Sequence, residues 1–306
     1  MRVCSLLPSA TEILYAIGAG GSVAGVTHEC DFPPEAATKP ALIRPRVDVK
    51  ASAAELDRQV TELVGRGESV YSVDADLLRA ISPDLIVTQD LCHVCAASPD
   101  DLATALSRMD AQPRVLSLAP HSLGDVWDDI RRVGEATGHV SEANALAVAL
   151  AAKVAGIEKR TIAARPRPGV LCLEWLDPFY VGGHWVPEMV EKAGGSDILG
   201  QAGDASFRVT AEDIAKSSVD VIVVMQCGYK ADRNAGDFIA LRDSQSWPED
   251  WNALPALRER RIFAVDANSY FSRPGPRLAD GVALLAHILH PDLMPLDLPA
   301  LALRHL

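Results

Sequence analysis

The chain has 306 residues, which suggests two domains of ordinary size with a sizeable core. Its 29 Lys and Arg against 41 Asp and Glu give a formal net charge of −12. That balance argues against a nucleic-acid partner and against attachment to an anionic membrane surface. The apolar runs are strand-sized, shorter than the roughly 18 residues of a membrane span. We therefore expect neither nucleic acid nor membrane insertion.

Strands and helices alternate along the first half of the sequence. A short strand over 3–7 ends before Pro8, and Ser9 with Glu12 is typical of a capping box for a helix over 10–17. The same patterning predicts strands at 23–27, 85–88 and 114–118, and helices at 53–64, 74–80, 99–109 and 123–137. This alternation predicts an α/β fold with a parallel sheet.

A long helix follows, capped by Ser141 and running over 143–164. At 1.5 Å per residue it would be about 33 Å long. It is either a surface helix of one domain or a rigid link between two. Beyond it, we predict strands at 170–174, 219–225 and 261–265, helices at 187–193, 211–216 and 276–290, and an irregular tail.

The residues that follow these strands are the candidates for ligand binding, because ligands of open parallel sheets bind beyond the carboxyl ends of the strands. Aromatic residues make up only 5% of the chain, yet many of them gather there. This enrichment predicts a site for a large, flat or apolar ligand, with aromatic stacking and a few polar contacts. The candidates are Pro8, Ser9, His28, Asp31, Gln89, Trp175, Tyr180, Trp185, Gln226, Tyr229, Tyr270 and Phe271.

Several short motifs carry a family resemblance in their order along the chain. They are residues 6–14 (LLPSATEIL), 25–27 (GVT), 30–35 (CDFPPE), 81–87 (ISPDLIV), 178–179 with 182–183 (PF and GG) and 271–277 (FSRPGPR). Together they resemble the cobalamin-type, or class III, substrate-binding proteins of ABC transporters. Each motif is weak by itself, and their shared order covers nearly the whole chain.

The resemblance implies two Rossmann-like α/β lobes with parallel sheets, joined by a single long α-helix, with the ligand cleft between the lobes. The predicted organisation is then an N-terminal lobe at 1–140, a linking helix at 141–165 and a C-terminal lobe at 166–306. The implied function is binding without catalysis. The implied ligand is cobalamin, another corrinoid or a similar large metal-containing molecule.

One departure from that family concerns export. Members are secreted or lipid-anchored, whereas residues 1–8 read as a core strand and its exit turn, without a signal peptide or lipobox. The chain more closely resembles a signal-less branch, so we expect a cytoplasmic location and predict against docking on an ABC permease. Asp101 and Glu212 fall near the acidic docking residues of the family, but both also suit the first turn of a helix.

A second departure is a group of thiols. Cys92-His93-Val94-Cys95 forms a C-x-x-C, and Cys30 follows another strand of the same lobe. These cysteines could be packing thiols, a redox pair, or ligands of zinc or an iron–sulfur cluster. A further hypothesis for the function is a thiol enzyme, with Cys30 or Cys92 as the nucleophile.

Histidines and the strand cysteines complete the candidate set. An imidazole could bind cobalt or act as a general base, although a hydrogen-bonded loop residue is the favoured interpretation of each such histidine. The cysteines within strands read as small buried hydrophobes. The histidines are His28, His93, His121 and His184, and the strand cysteines are Cys4 and Cys172.

Overall fold

A computed structural model describes residues 1–89, 99–107, 109, 112–295 and 299–306. The chain divides into two compact units. The first unit contains residues 1–120 and 124–149, and the second contains residues 121–123 and 150–306. The short segment His121–Leu123 therefore belongs to the second unit, although residues of the first unit flank it in sequence.

The first unit is built on a sheet that has six strands within the described residues. The strands are β1 (Val3–Ser5), β2 (Val23–Thr27), β3 (Ala41–Pro45), β4 (Tyr71–Val73), β5 (Leu85–Gln89) and β6 (Arg114–Leu118). Their order is β4-β3-β2-β1-β5-β6, and β4 is an antiparallel edge beside otherwise parallel neighbours. The predicted parallel sheet is confirmed, but strands β3 and β4 were not predicted.

The helices of this unit are α1 (Pro8–Ala16), α2 (Ala53–Gly65), α3 (Ala75–Ile81), α4 (Pro99–Leu106) and α5 (Leu123–Thr137). One face of the sheet packs against a core that includes Leu6, Leu42, Leu78 and Ile86. Each of these side chains is at most 2% exposed. Complete burial of such a side chain stabilises the fold by about 1.5–3 kcal/mol.

The first helix begins earlier than predicted. α1 starts at Pro8, whose ring presets a helical φ and whose missing N–H has no intrahelical partner at this position anyway. Leu7 occupies the N-cap position without a side-chain hydrogen bond, and Ser9 is buried inside the helix. The predicted capping box of Ser9 with Glu12 is therefore wrong.

The long helix predicted at 143–164 is α6 (Val140–Thr161), and the division between the units falls inside it, between Ala149 and Leu150. It is the single linking helix of the predicted architecture. By length and composition alone, α6 could also cross a membrane, and 22% of its apolar window is buried. One such helix is weak evidence, because a core helix of a water-soluble protein passes the same test.

The second unit is built on a larger mixed sheet. Its strands are β7 (Gly169–Leu176), β8 (Phe179–Val181), β9 (Ser196–Asp197), β10 (Phe207–Arg208), β11 (Val221–Val224), β12 (Ile262–Val265) and β13 (Leu303–His305). The order is β10-β8-β7-β11-β12-β13, with β9 beside β7. β9, β7, β11 and β12 pair in parallel, whereas β8 and β13 pair antiparallel with their neighbours. The predicted irregular tail is thus wrong at β13.

The helices of the second unit are α7 (Val186–Lys192), α8 (Ala211–Ala215), α9 (Ala231–Arg242), α10 (Pro255–Arg258), α11 (Ala267–Tyr270) and α12 (Leu278–Leu289). α8 begins after the N-cap Thr210, which forms a capping box with Asp213. The core centres on Phe238 and Trp251. Trp251 lies 4.8 Å from the Phe179 ring, centroid to centroid, and donates its indole N–H to the Ala211 carbonyl at 3.0 Å.

Asp197 is a half-buried residue at the end of β9. Its Oδ1 accepts N–H bonds from Gly200 at 2.6 Å and Leu199 at 3.1 Å. Its Oδ2 is buried and has no hydrogen-bond partner among the described residues. Burial raises the pKa of Asp197 to about 6, against the opposing effect of the two N–H bonds.

We expect Asp197→Asn to stabilise the protein above pH 6. The folded pKa of Asp197 lies above its unfolded value, so the wild-type free energy of unfolding falls as the pH rises from about 4 to about 6 and stays lower above that. Asn keeps an acceptor for both N–H groups and removes the charge. The variant should gain about 1–3 kcal/mol at neutral pH and almost nothing at pH 4, measured by urea unfolding.

Asp76→Asn is the matched control, because that side chain is 83% exposed. It should leave the pH dependence of unfolding as in the wild type. An equal gain for Asp197→Asn at pH 4 and at neutral pH would contradict the assignment of the penalty to a buried charge.

Candidate functional site

The carboxyl ends of β7, β11 and β12 meet at one edge of the second unit's sheet, because these strands are parallel neighbours. Trp175 lies near the end of β7, and Tyr229 follows β11. Their ring centroids are 5.5 Å apart, and the rings are inclined at 42°. The Arg233 guanidinium lies over the Tyr229 ring at 4.7 Å. Two predicted site residues thus form one half-buried aromatic cluster, which offers ring faces to a flat ligand.

A buried polar network supports this cluster. The Asn234 Oδ1 accepts hydrogen bonds from the Gln226 backbone N–H at 3.1 Å and from the Gln226 side chain at 3.2 Å. The Asn234 amide donates to the Val265 carbonyl at 2.9 Å, and Gln226 also donates to Asp237 at 3.1 Å. Gln226 and Asn234 are completely buried. The network ties the end of β11 to the end of β12.

Two buried polar atoms at this edge lack a hydrogen-bond partner among the described residues, the Gln226 Oε1 and the Tyr229 hydroxyl. Burial raises the pKa of Tyr229, so its hydroxyl stays protonated and can donate. An unsatisfied buried polar atom costs about 1–3 kcal/mol, and sites of this kind are often completed by water or a ligand.

The remaining aromatic candidates of the second unit divide by burial. Trp185 and Phe271 are buried, and the Trp185 indole N–H donates to the Phe271 carbonyl at 2.8 Å. This bond holds α7 beside the loop that follows α11. Tyr180 and Tyr270 are half-buried and lie beneath the guanidinium groups of Arg208 at 5.9 Å and of Arg277 at 6.0 Å. Direct contact of Trp185 or Phe271 with a ligand stays a prediction.

Gly281 fixes how closely α12 approaches Tyr270. A Cβ at this position would lie 2.2 Å from the Tyr270 carbonyl oxygen and 2.6 Å from the Met189 side chain. A glycine therefore lets α12 pack directly on the backbone of a predicted site residue.

The carboxyl edge of the first unit's sheet carries the other predicted residues. A small open pocket lies there, lined by Leu6, Pro8, Thr27, His28, Glu29, Ile43 and Tyr71. His28 Nδ1 contacts the Ile43 carbonyl at 3.1 Å, and its ring lies 5.9 Å from the Tyr71 ring. Asp31 is exposed, and Gln89 is half-buried at the end of β5. Ser9 is only 2% exposed, so its predicted polar contact would need a buried route to the ligand.

Cys30 is buried and hydrogen-bonded within the first unit. Its sulfur lies 3.1 Å from the Thr11 hydroxyl and 3.3 Å from the Thr27 hydroxyl. Within the described residues, there is no group of three or more His, Cys, Asp or Glu placed to hold a metal ion. Cys92, His93 and Cys95 lie outside the described residues, so a zinc or iron–sulfur site that includes them stays a prediction.

The two strand cysteines are buried, as predicted. Cys4 is fully buried and Cys172 is 1% exposed. Burial raises the pKa of Cys4 to about 12 and that of Cys172 well above its ordinary value. Both therefore stay protonated at neutral pH and behave as small core residues.

Comparison with known proteins agrees with this architecture. Residues 3–269 match the family model described as periplasmic binding protein. The chain belongs to the periplasmic binding protein family. It is similar to an ABC transporter substrate-binding lipoprotein of Bacillus subtilis, YvrC, with 27% identity over 95% of this chain and 80% of that protein. It is also similar to a vitamin B12-binding protein of Vibrio cholerae, with 22% identity over 92% of this chain and 86% of that one.

Among solved structures, the fold resembles the apo form of the periplasmic heme-binding protein RhuT from Roseiflexus. The TM-score is 0.70 at 23% identity, and the match covers 95% of this chain and 98% of that chain. The predicted two-lobe α/β fold of the substrate-binding type is therefore confirmed.

Family membership settles two further predictions. A binding protein rather than a thiol enzyme is confirmed, because the relatives are substrate-binding proteins of ABC transporters. The prediction against permease docking is wrong for the same reason. Asp101 and Glu212 lie in the first turns of α4 and α8. The cytoplasmic location and the signal-less branch stay predictions.

Sequence reasoning missed the residues of α9. Asn234, Asp237 and Arg233 hold the aromatic cluster, yet no helix is predicted at 231–242. A signal was present, because Arg233 and Asp237 have the i, i+4 spacing of a helical ion pair and are 2.8 Å apart. Gly236 and the many polar residues of the segment weaken the helical pattern, so the ion-pair spacing alone did not lead to a predicted helix.

We expect Asn234→Ala to destabilise the ligand-free protein by about 2–4 kcal/mol, because two bonds of Gln226 and one of Val265 lose their partner in a buried environment. Urea unfolding would measure the loss. Tyr229→Phe is the comparison, because its buried hydroxyl has no partner among the described residues, and we expect it to leave the free energy of unfolding unchanged or slightly raised. Equal destabilisation by the two variants would contradict this description of the network.

Proposed function

We propose that this protein binds a corrinoid, namely cobalamin or a close relative, without transforming it. Family membership and the chemistry of the second unit's sheet edge support this proposal. The full-length similarity to a vitamin B12-binding protein supports the corrinoid as the ligand class. Heme-binding proteins share the fold, so a porphyrin is the competing ligand.

The aromatic cluster of Trp175 and Tyr229 is the observation that carries the proposal. Two half-buried rings inclined at 42° lie at the carboxyl ends of parallel strands, with a guanidinium over one of them. A large ligand with an apolar body and peripheral amide groups suits this combination. Its ring system would contact the aromatic faces, and its amides could satisfy the Tyr229 hydroxyl and the Gln226 Oε1.

The edge of the first unit's sheet carries the remaining predicted site residues. Pro8 and His28 line the small pocket there. Asp31 lies in the loop that follows β2, and Gln89 is the last residue of β5. These residues offer short polar contacts rather than broad apolar faces. The proposed contacts with the corrinoid therefore lie on the aromatic faces of the second unit.

The direct test is titration of the untagged protein with cyanocobalamin, cobinamide and haemin, followed by calorimetry and by the visible spectrum. We expect saturable binding of a corrinoid in preference to haemin. Trp175→Ala should weaken this binding by about tenfold or more, because an aromatic anchor at the centre of a site is typically worth more than 1 kcal/mol.

Trp247→Phe is the matched control, since Trp247 packs 5.4 Å from Trp251 in the core of the same unit. It should bind like the wild type. Failure of both corrinoids to bind at high micromolar concentration would contradict the proposal. Selective binding of haemin would instead identify a porphyrin as the ligand class.

A further inference from the structure

Two histidines of the second unit lie next to each other, although 62 residues separate them in sequence. The ring centroids of His121 and His184 are 5.5 Å apart, and the rings are nearly perpendicular, at 67°. A metal-bound imidazole nitrogen lies about 2.0–2.1 Å from the ion, which places two rings on a tetrahedral ion with their centroids about 5 Å apart. The observed separation is close to that arrangement.

The tautomer of His121 is set by the backbone. Its Nδ1 contacts the Gly203 carbonyl at 3.2 Å. A carbonyl oxygen can only accept, so Nδ1 is the donor in this contact, and a neutral ring would present its lone pair on Nε2. Metal-binding histidines typically have this arrangement, with the second ring nitrogen donating to a carbonyl that orients the ring.

His184 is held in an unusual backbone conformation. Its φ is +51°, in the left-handed region that few residues other than glycine and asparagine adopt readily. Its N–H donates to the Asp204 carbonyl, and its own carbonyl accepts from the Gly203 N–H at 2.9 Å. The ring stacks on Trp185 at 5.6 Å. Backbone strain of this kind, of about 1–3 kcal/mol, persists only where the surroundings enforce it.

Gly183 makes this conformation compatible with the neighbouring loop. A Cβ there would lie 2.3 Å from the Ser206 backbone nitrogen. The glycine thus allows residues 203–206, which also hold His121, to pack against the segment that carries His184.

The Nδ1 of His184 is buried and has no hydrogen-bond partner among the described residues. Burial, together with the neighbouring His121, lowers the pKa of His184. The unpaired Nδ1 is therefore an available donor atom in an enclosed position beside His121.

We infer that His121 and His184 form a two-imidazole site for a divalent first-row transition metal ion. The described residues supply no third His, Cys, Asp or Glu ligand, so water or a donor atom of a bound molecule would complete the coordination. Two imidazoles suit Cu²⁺, Ni²⁺, Co²⁺ and Zn²⁺, with Cu²⁺ bound most tightly. This inference is independent of corrinoid binding, because both ligands come from protein side chains and the ion is not part of a macrocycle.

The test uses the full untagged chain with Cys92→Ser and Cys95→Ser, so that those thiols cannot compete for the ion. Calorimetric titration with Cu²⁺, Ni²⁺ and Zn²⁺ should show one site per chain. His121→Asn and His184→Asn should each weaken binding by at least about tenfold. Asparagine tolerates the left-handed backbone at position 184, which limits loss of folding in that variant.

His305→Asn is the matched control, because His305 is exposed and contacts the Arg260 carbonyl elsewhere in the unit. It should bind the ions like its parent. An independent readout is the electron paramagnetic resonance spectrum of the Cu²⁺-loaded parent, which should show hyperfine coupling to two imidazole nitrogens. The inference is overturned if both histidine variants bind like the control, if the spectrum lacks nitrogen coupling, or if all binding disappears with the two cysteines.

Discussion

The buried side chain of Asn234 is the contact on which the candidate site depends. Its oxygen accepts from the backbone and the side chain of Gln226, two residues beyond β11, and its amide donates to the last residue of β12. One side chain on α9 therefore fixes the exits of two adjacent strands, and those exits carry Tyr229 and Tyr270. A buried amide that is hydrogen-bonded through both its oxygen and its nitrogen specifies a unique local arrangement, since any displacement would leave several polar groups unpaired.

Other buried polar groups of the second unit lack hydrogen-bond partners among the residues that the structure describes. The Gln226 Oε1, the Tyr229 hydroxyl and the His184 Nδ1 are buried without partners within the described part of the chain. Three further buried atoms also lack a partner among the described residues, namely the Tyr15 hydroxyl and one carboxylate oxygen each of Asp129 and Asp197. The pair at the carboxyl edge, Gln226 and Tyr229, differs from these in lying beside an aromatic cluster, as polar groups that bind a ligand often do.

Much of the fold could be predicted from the sequence because the strand and helix periods are regular. The strand at 114–118 and the helix at 123–137 have the predicted bounds. The errors have physical causes. Pro8 starts α1 in place of the predicted cap Ser9, and the edge strands β4, β10 and β13 are too short for a clear alternation.

The candidate site was predictable as a set of strand ends but not as a geometry. The sequence indicated Trp175, Gln226 and Tyr229 separately, and their adjacency follows from the parallel order of β7 and β11. The sequence pattern does not show which of the aromatic residues are exposed to a ligand. Trp185 and Phe271 follow strands as predicted, yet both side chains are buried. The residues of α9 that contact Gln226 and Tyr229 were not predicted, because the apolar face of this helix is too narrow to give a clear helical pattern in the sequence.

The assignment of His121–Leu123 to the second unit makes that unit discontinuous in sequence. The Leu123 N–H donates to the Glu188 carboxylate at 2.9 Å, and His121 reaches the Gly203 carbonyl. A gene fragment that starts within α6 would encode the whole sheet of the second unit and still lack this three-residue strap. Expressing the lobes separately would therefore divide a structural unit, and a permuted chain would have to carry the strap along.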